Sequence, residues 1–177
     1  MLFYAKTASC LLLFLLLVTC VHAQRPIFYQ LELGTERFYM RTFDVDPGPN
    51  WSGFPLEGSS SFALDLGLGI QTKKWASLGI GLGYAYFPEN TLVRVALQSE
   101  IHPFQRTLSP FLRMRLGYSS LNTFEENSRQ SPLAEGIFGL RYRLSPVVAL
   151  ELSSGVALTQ QTLFIPIRIA CRWMPHR

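Results

Sequence analysis

The chain has 177 residues, with 16 Lys and Arg against 12 Asp and Glu for a formal net charge of +4, and it is 48% hydrophobic. That length suits a single domain, and so small a charge excess gives no ground for a nucleic-acid partner. Three cysteines, two of them close to the N-terminus, exclude a disulfide framework.

Lys6, the apolar run from Cys10 to Thr19 and the small-x-small sequence Val21-His22-Ala23 before Gln24 predict a secretory signal over residues 1–23, cleaved near Ala23/Gln24. Two other readings compete with it. A membrane-anchoring helix needs roughly 20 apolar residues, more than this run offers. A lipoprotein would be lipidated on Cys20, but Thr19 suits the position before such a cysteine poorly. Cleavage removes Lys6, leaving 15 basic against 12 acidic residues and a net charge of +3. Cys10 and Cys20 leave too, so Cys171 stands alone.

Beyond the signal, the apolar residues recur at every second position, the period of a strand. The first predicted strand, about Ile27 to Phe38, puts Ile27, Tyr29, Leu31 and Leu33 on one face and Gln30, Glu32, Gly34 and Glu36 on the other. An irregular segment rich in Pro, Gly, Asp and Ser follows at 41–60. Next comes a hairpin written out in full. Phe62, Leu64, Leu66, Leu68 and Ile70 lead through Thr72-Lys73-Lys74-Trp75 to Leu78, Ile80, Leu82, Tyr84 and Tyr86, with Asp65 and a series of glycines between them. The fourth strand turns Val93, Val95, Leu97 and Ile101 one way and Arg94, Ala96, Gln98 and Glu100 the other. The fifth, Leu108 to Ser119, opposes Leu112, Met114, Leu116 and Tyr118 to Phe111, Arg113, Arg115 and Gly117, and a second long polar loop is predicted at 120–132. The sixth opposes Phe138, Leu140, Tyr142 and Leu144 to Glu135, Gly139, Arg141 and Arg143. In the seventh, Val148, Leu150, Leu152, Val156 and Leu158 alternate with Ala149, Glu151, Ser153 and Gly155. In the last, Leu163, Ile165, Ile167, Ile169 and Trp173 alternate with Arg168, Ala170 and Arg172. Pro166 interrupts that strand, where a bulge or distortion toward the outer rim is expected because proline has no ladder donor.

Charge falls on one phase of these strands and the other phase is apolar. Arg37, at a strand end, is the exception. A continuous apolar phase facing water is costly, whereas facing lipid it is what a closed transmembrane barrel requires. The predicted fold is therefore an all-β, eight-stranded antiparallel up-and-down transmembrane barrel over 24–177. Its charged interior comprises Glu32, Glu36, Asp65, Glu100, Glu135 and Glu151 with Arg94, Arg113, Arg115, Arg141, Arg143, Arg168 and Arg172. Eight strands enclose a lumen that side chains fill, and guanidinium forks pair with carboxylates. Outward aromatics gather toward the strand ends, Tyr84, Tyr86 and Tyr118 at one rim and Tyr29, Tyr142 and Trp173 at the other, as interfacial girdles do. An even strand number puts both termini on the side of the short turns, so the loops 41–60 and 120–132 face outward from the cell.

Strand pattern, loop asymmetry and a final strand with outward apolar residues and the near-terminal Trp173 make the mature chain resemble the small eight-stranded outer-membrane barrels of the protein A and protein X type. Met174 to Arg177 extend past the aromatic that usually ends such chains. The resemblance implies a Gram-negative outer membrane, contact with its lipid and lipopolysaccharide, insertion by the barrel-assembly machinery, and a monomer. It brings no catalytic motif. After the signal the histidines are His102 and His176, neither within a serine-containing motif, so no nucleophile–base pair is written in the sequence. No catalytic residue, cofactor or metal site is expected, and Asp44-Val45-Asp46 is too short to be a calcium loop. The expected role is structural, or interaction at the cell surface through the long loops with an unidentified partner. The alternatives are a narrow passive, porin-like pore and an enzyme that modifies lipid A.

Overall fold

The computed structural model describes residues 26–41, 60–88, 90–104, 106–123 and 126–175, with the backbone alone at 41, 123 and 126–129. The predicted signal 1–23, Cys20 and nearly all of the segment 41–60 lie outside the described residues. Alternation of side chains across eight stretches gives β1 Ile27–Arg41, β2 Ser60–Lys73, β3 Ala76–Tyr86, β4 Asn90–Ile101, β5 Leu108–Thr123, β6 Glu126–Arg143, β7 Val148–Thr159 and β8 Thr162–Trp173. Each strand pairs antiparallel with its neighbour in the chain, and β1 pairs with β8, so the sheet closes on itself. Closure satisfies the ladder along both edges of every strand.

Register fixes the tilt. Following ladder partners from Tyr29 leads through Leu68, Ile80, Leu97, Leu116, Ala134, Leu158 and Leu163, and returns to β1 at Met40. The path has climbed from position 29 to position 40, which is the stagger a tilted barrel needs. Every residue on it is apolar or aromatic, because the circuit stays on the outer phase. β4 shows how sharply the two phases differ: Val95 and Leu97 are 53% and 69% exposed, while Arg94 before them and Glu100 beyond them are both 3% exposed.

The interior is thus polar and the exterior apolar, the reverse of a water-soluble domain. The termini and the β2–β3, β4–β5 and β6–β7 turns occupy one end, termed the terminus side. The other end is the loop side. There β7 and β8 meet through Gln160 and Gln161, whose φ values of 50° and 58° are both left-handed. Two left-handed residues match the twist of a tight hairpin.

One expectation is corrected and a second is narrowed. The segment 120–132 is mostly ladder rather than loop: Ser120 faces Gln130, Leu121 faces Arg129 and Thr123 faces Glu126. The apolar phase ends near Leu116 and Tyr118, but backbone pairing needs no apolar side chain, so the hairpin runs on. At Pro166 the expected irregularity takes the form of a distortion and not of a bulge. The β7–β8 register is the same on either side, from Ser154 opposite Ile167 to Ala157 opposite Phe164, with the ladder interrupted between them. The missing proline donor falls opposite Gly155 and Val156 and leaves a gap instead of a shift. The bulge found in this region lies on β1, between Phe38 and Met40.

Candidate functional site

The lumen is the candidate site, and its charged residues form two connected tiers. On the terminus side, Glu100 and Glu151 are gripped by three arginines. Arg113 Nη2 donates to Glu100 Oε2 at 2.7 Å and to Glu151 Oε2 at 2.6 Å. Arg141 donates to Glu100 Oε1 at 2.5 Å and to Glu151 Oε1 at 2.8 Å, and Arg172 Nη1 donates to Glu100 Oε1 at 2.7 Å. Gln30 adds a bond to Glu151 at 2.7 Å. Two inward rings lie against this tier. The Arg172 guanidinium is 3.6 Å from the centre of Phe28, and those of Arg113 and Arg141 are 4.8 and 5.3 Å from Phe111. Ring faces attract such cations most when water is excluded.

Toward the loop side, Arg94 holds Asp65 with its fork, both bonds measuring 2.9 Å, and also meets Glu36. Arg168 holds Glu135 at 2.9 and 3.0 Å and Glu36 at 2.8 Å. Arg115 reaches Glu135 at 3.4 Å. Glu32 links the tiers, accepting from Arg113 at 2.7 Å and from Arg115. The glycines make these approaches feasible: a Cβ at Gly34 would lie 2.7 Å from Arg168 Cγ, and one at Gly83 would lie 2.5 Å from Arg94 Cγ.

All twelve of these side chains, Glu32, Glu36, Asp65, Glu100, Glu135, Glu151, Arg94, Arg113, Arg115, Arg141, Arg168 and Arg172, are at most 5% exposed. Six carboxylates face six guanidiniums, so the stack is neutral. Removing ions from water costs several kcal/mol each, which only this degree of mutual pairing offsets. Arg143, expected among them, is not: it is exposed and stands outside the described ion pairs. β6 ends at Arg143, one alternation beyond Arg141, so its side chain has passed the rim and is in solvent. The phase of a strand gives the side a residue faces, not its height.

Sequence reasoning missed the lid above the stack. Ala63, Ala85, Phe87, Leu92, Leu121, Ala157 and Phe164 form an apolar cluster of residues at most 1% exposed, with Phe87 and Phe164 ring centres 5.7 Å apart. Ala63, Leu92, Leu121, Ala157 and Phe164 each lie on the loop side of the buried charges on their own strands, as Leu92 does relative to Arg94, and Ala85 and Phe87 stand at the loop-side end of the uncharged β3. The signal was available, since these residues are apolar on the phase that carries charge elsewhere. Beside them Ser119 and Thr159 share a 2.5 Å hydrogen bond, and Gln160 Nε2 donates to Ser119 Oγ at 3.2 Å. At the edge of the stack, a void of about 10 Å³ is lined by Asp65, Gly81, Gly83, Arg94, Ala96, Arg115 and Leu133. That is room for about one water.

On the outer wall, Tyr29, Tyr84, Tyr86, Tyr118, Tyr142 and Trp173 are all at least 43% exposed. Tyr29 and Trp173 pair across the β1–β8 seam with ring centres 5.5 Å apart. His102 lies inside, 6% exposed, with Nδ1 3.5 Å from Glu100 Oε1. The outward nucleophiles Ser99 and Cys171 have no imidazole beside them among the described residues, and His176 lies outside that set. Among the described residues no group of three or more His, Cys, Asp and Glu is arranged to hold a metal ion.

No protein-family model matches the chain, and no curated protein matches it in sequence. Solved structures do match. Neisserial surface protein A superposes with a TM-score of 0.62 at 12% identity, over 83% of this chain and 96% of that one. The N-terminal β-barrel domain of Pseudomonas aeruginosa OprF gives 0.56 at 12% identity over 85% and 100%. The outer-membrane enzyme PagL gives 0.52 at 11% identity over 84% and 99%. The same topology therefore carries both an enzyme and proteins not described as such, and at these identities the likeness speaks of architecture alone. By strand number, closure and the reversal of its polar and apolar faces, the chain has the fold of the small eight-stranded outer-membrane β-barrels.

Proposed function

We propose that this protein is exported, freed of residues 1–23 and held in the bacterial outer membrane as a sealed, monomeric barrel. It acts as a structural or surface-interaction element and not as a conduit. The observation that carries this is the filled lumen, with a neutral stack of twelve paired side chains beneath an apolar lid. An ion entering from the terminus side meets fixed pairs with no spare charge, and one entering from the loop side meets hydrocarbon first. The outer wall provides the contact with lipid, its tyrosines and Trp173 sitting at headgroup level. The work at the cell surface falls to the loop side, where the segment 41–60 and the projecting β5–β6 hairpin meet lipopolysaccharide or an extracellular partner.

Reconstitution into planar bilayers tests this. Purified, folded protein is expected to give no stable conductance, and long-lived open steps overturn the sealed reading in favour of a narrow pore. Lipid A from cells with and without the protein is expected to have the same mass spectrum. A lost or gained acyl group would make the protein an enzyme.

A further inference from the structure

The outer wall has a notch on β6. Gly136 is outward, between the buried Glu135 and Ile137, and a Cβ added there would meet no atom within 4 Å. Every other described glycine has an atom within that distance. Ala134 is next on the same face, so nothing longer than a methyl rises from this part of the strand. The flanking strands supply walls. Gly136 lies between Met114 and Val156, and Ala134 between Leu116 and Leu158. Together with Leu163 and Glu135 they line an open groove of about 270 Å³.

We propose that this groove seats one acyl chain of a membrane lipid belonging to the loop-side leaflet. Its side-chain walls are hydrocarbon and thioether, the side chain of Glu135 being buried on the lumen side against Arg168, so no side chain in the groove offers a hydrogen bond to select a peptide or polar ligand. A second barrel is a poor fit: Leu116, Tyr118 and Phe138 project around the floor at 58%, 70% and 64% exposure, so a rigid wall meets them before it reaches Gly136. A flexible chain passes between them and gains contacts on three sides where the convex wall elsewhere offers one. Its leaflet follows from height. Leu158 and Leu163 flank the Gln160–Gln161 turn, which puts the groove at the loop-side end of the wall. Whether the lumen conducts has no bearing on it.

Native mass spectrometry of the folded protein in maltoside detergent, with dipalmitoyl phosphatidylethanolamine added as the probe, tests the proposal. The wild type is expected to retain one lipid. Gly136→Leu and Ala134→Leu, which fill the floor, are expected to lower that retention about tenfold, on the scale of a few methylenes withdrawn from burial. Cys171→Leu, an outward substitution on β8 away from the groove, is expected to leave it unchanged. Each variant is first checked for heat-modifiable migration, and if Gly136→Leu does not fold, Ala134→Leu alone decides. Equal retention in wild type and filled variants overturns the proposal, as does an equal loss in Cys171→Leu. A wild-type dimer that filling the floor dissolves also overturns it, giving the groove to a second copy.

Discussion

The two halves of the lumen are closed by different physics. The loop-side lid is a cluster of Phe, Leu and Ala held by dispersion and exclusion of water. The stack beneath it is held by pairing, with each carboxylate between arginines from different strands: Glu135 on β6 meets Arg168 on β8, Arg94 on β4 and Arg115 on β5. A lid of this kind tolerates a change of shape. A paired stack does not tolerate the loss of one charge, because the partners left behind cannot reach water.

The largest expected effect breaks the stack without altering its shape. Glu135→Gln leaves it one positive charge in excess and is expected to lose about 3–5 kcal/mol, the usual result of orphaning a buried ion. Urea unfolding in detergent micelles measures it. Adding Arg168→Met restores neutrality, and a coupling of at least about 1 kcal/mol between the two is expected in a double-mutant cycle; strict additivity would mean that Glu135 and Arg168 do not stabilise one another. A milder change sharpens the comparison from the other side. Phe164→Leu trims the lid with a residue of similar character and is expected to cost less than about 1.5 kcal/mol in the same assay. A loss equal to that of Glu135→Gln would mean that lid and stack are equally exacting. The smallest effect concerns the rim. Arg143→Ala is expected to change stability by no more than about 0.5 kcal/mol, as exposed positions do, although Arg141, one alternation inward on the same strand, holds both Glu100 and Glu151.

That pair of arginines also shows how far the sequence was legible. The strand period assigns both to the inner phase, and correctly separates Glu32, Asp65 and Arg94 from Leu31, Leu66 and Val95. Height is a different quantity. It depends on the stagger accumulated around the ring, which no single strand records, and so neither the exclusion of Arg143 nor the choice of Arg168 by Glu135 can be read along the chain. Leu92, Leu121 and Phe164 were overlooked for a related reason. They obey the period but reverse its chemistry, since above the charges the inner phase turns apolar. At Ser120 to Gln130 the opposite happened: the chemistry faded while the backbone ladder continued, and a strand looked like a loop.

The positions of the paired residues along the chain bear on how the barrel forms. Arg168, on the last strand, bonds Glu36 on the first, 132 residues away in sequence, and Arg115 bonds Glu32 across 83. A sheet that has formed β1 through β7 but not yet β8 holds Glu36 and Glu135 without the guanidinium of Arg168, and Glu100 without that of Arg172. Such a sheet keeps its inner face wet until the seam shuts, and the final strand then completes the backbone ring and neutralises the interior in one event. Ring closure and drying of the lumen are a single cooperative step, so partly zipped forms are disfavoured in the membrane and the barrel is either open to water or finished.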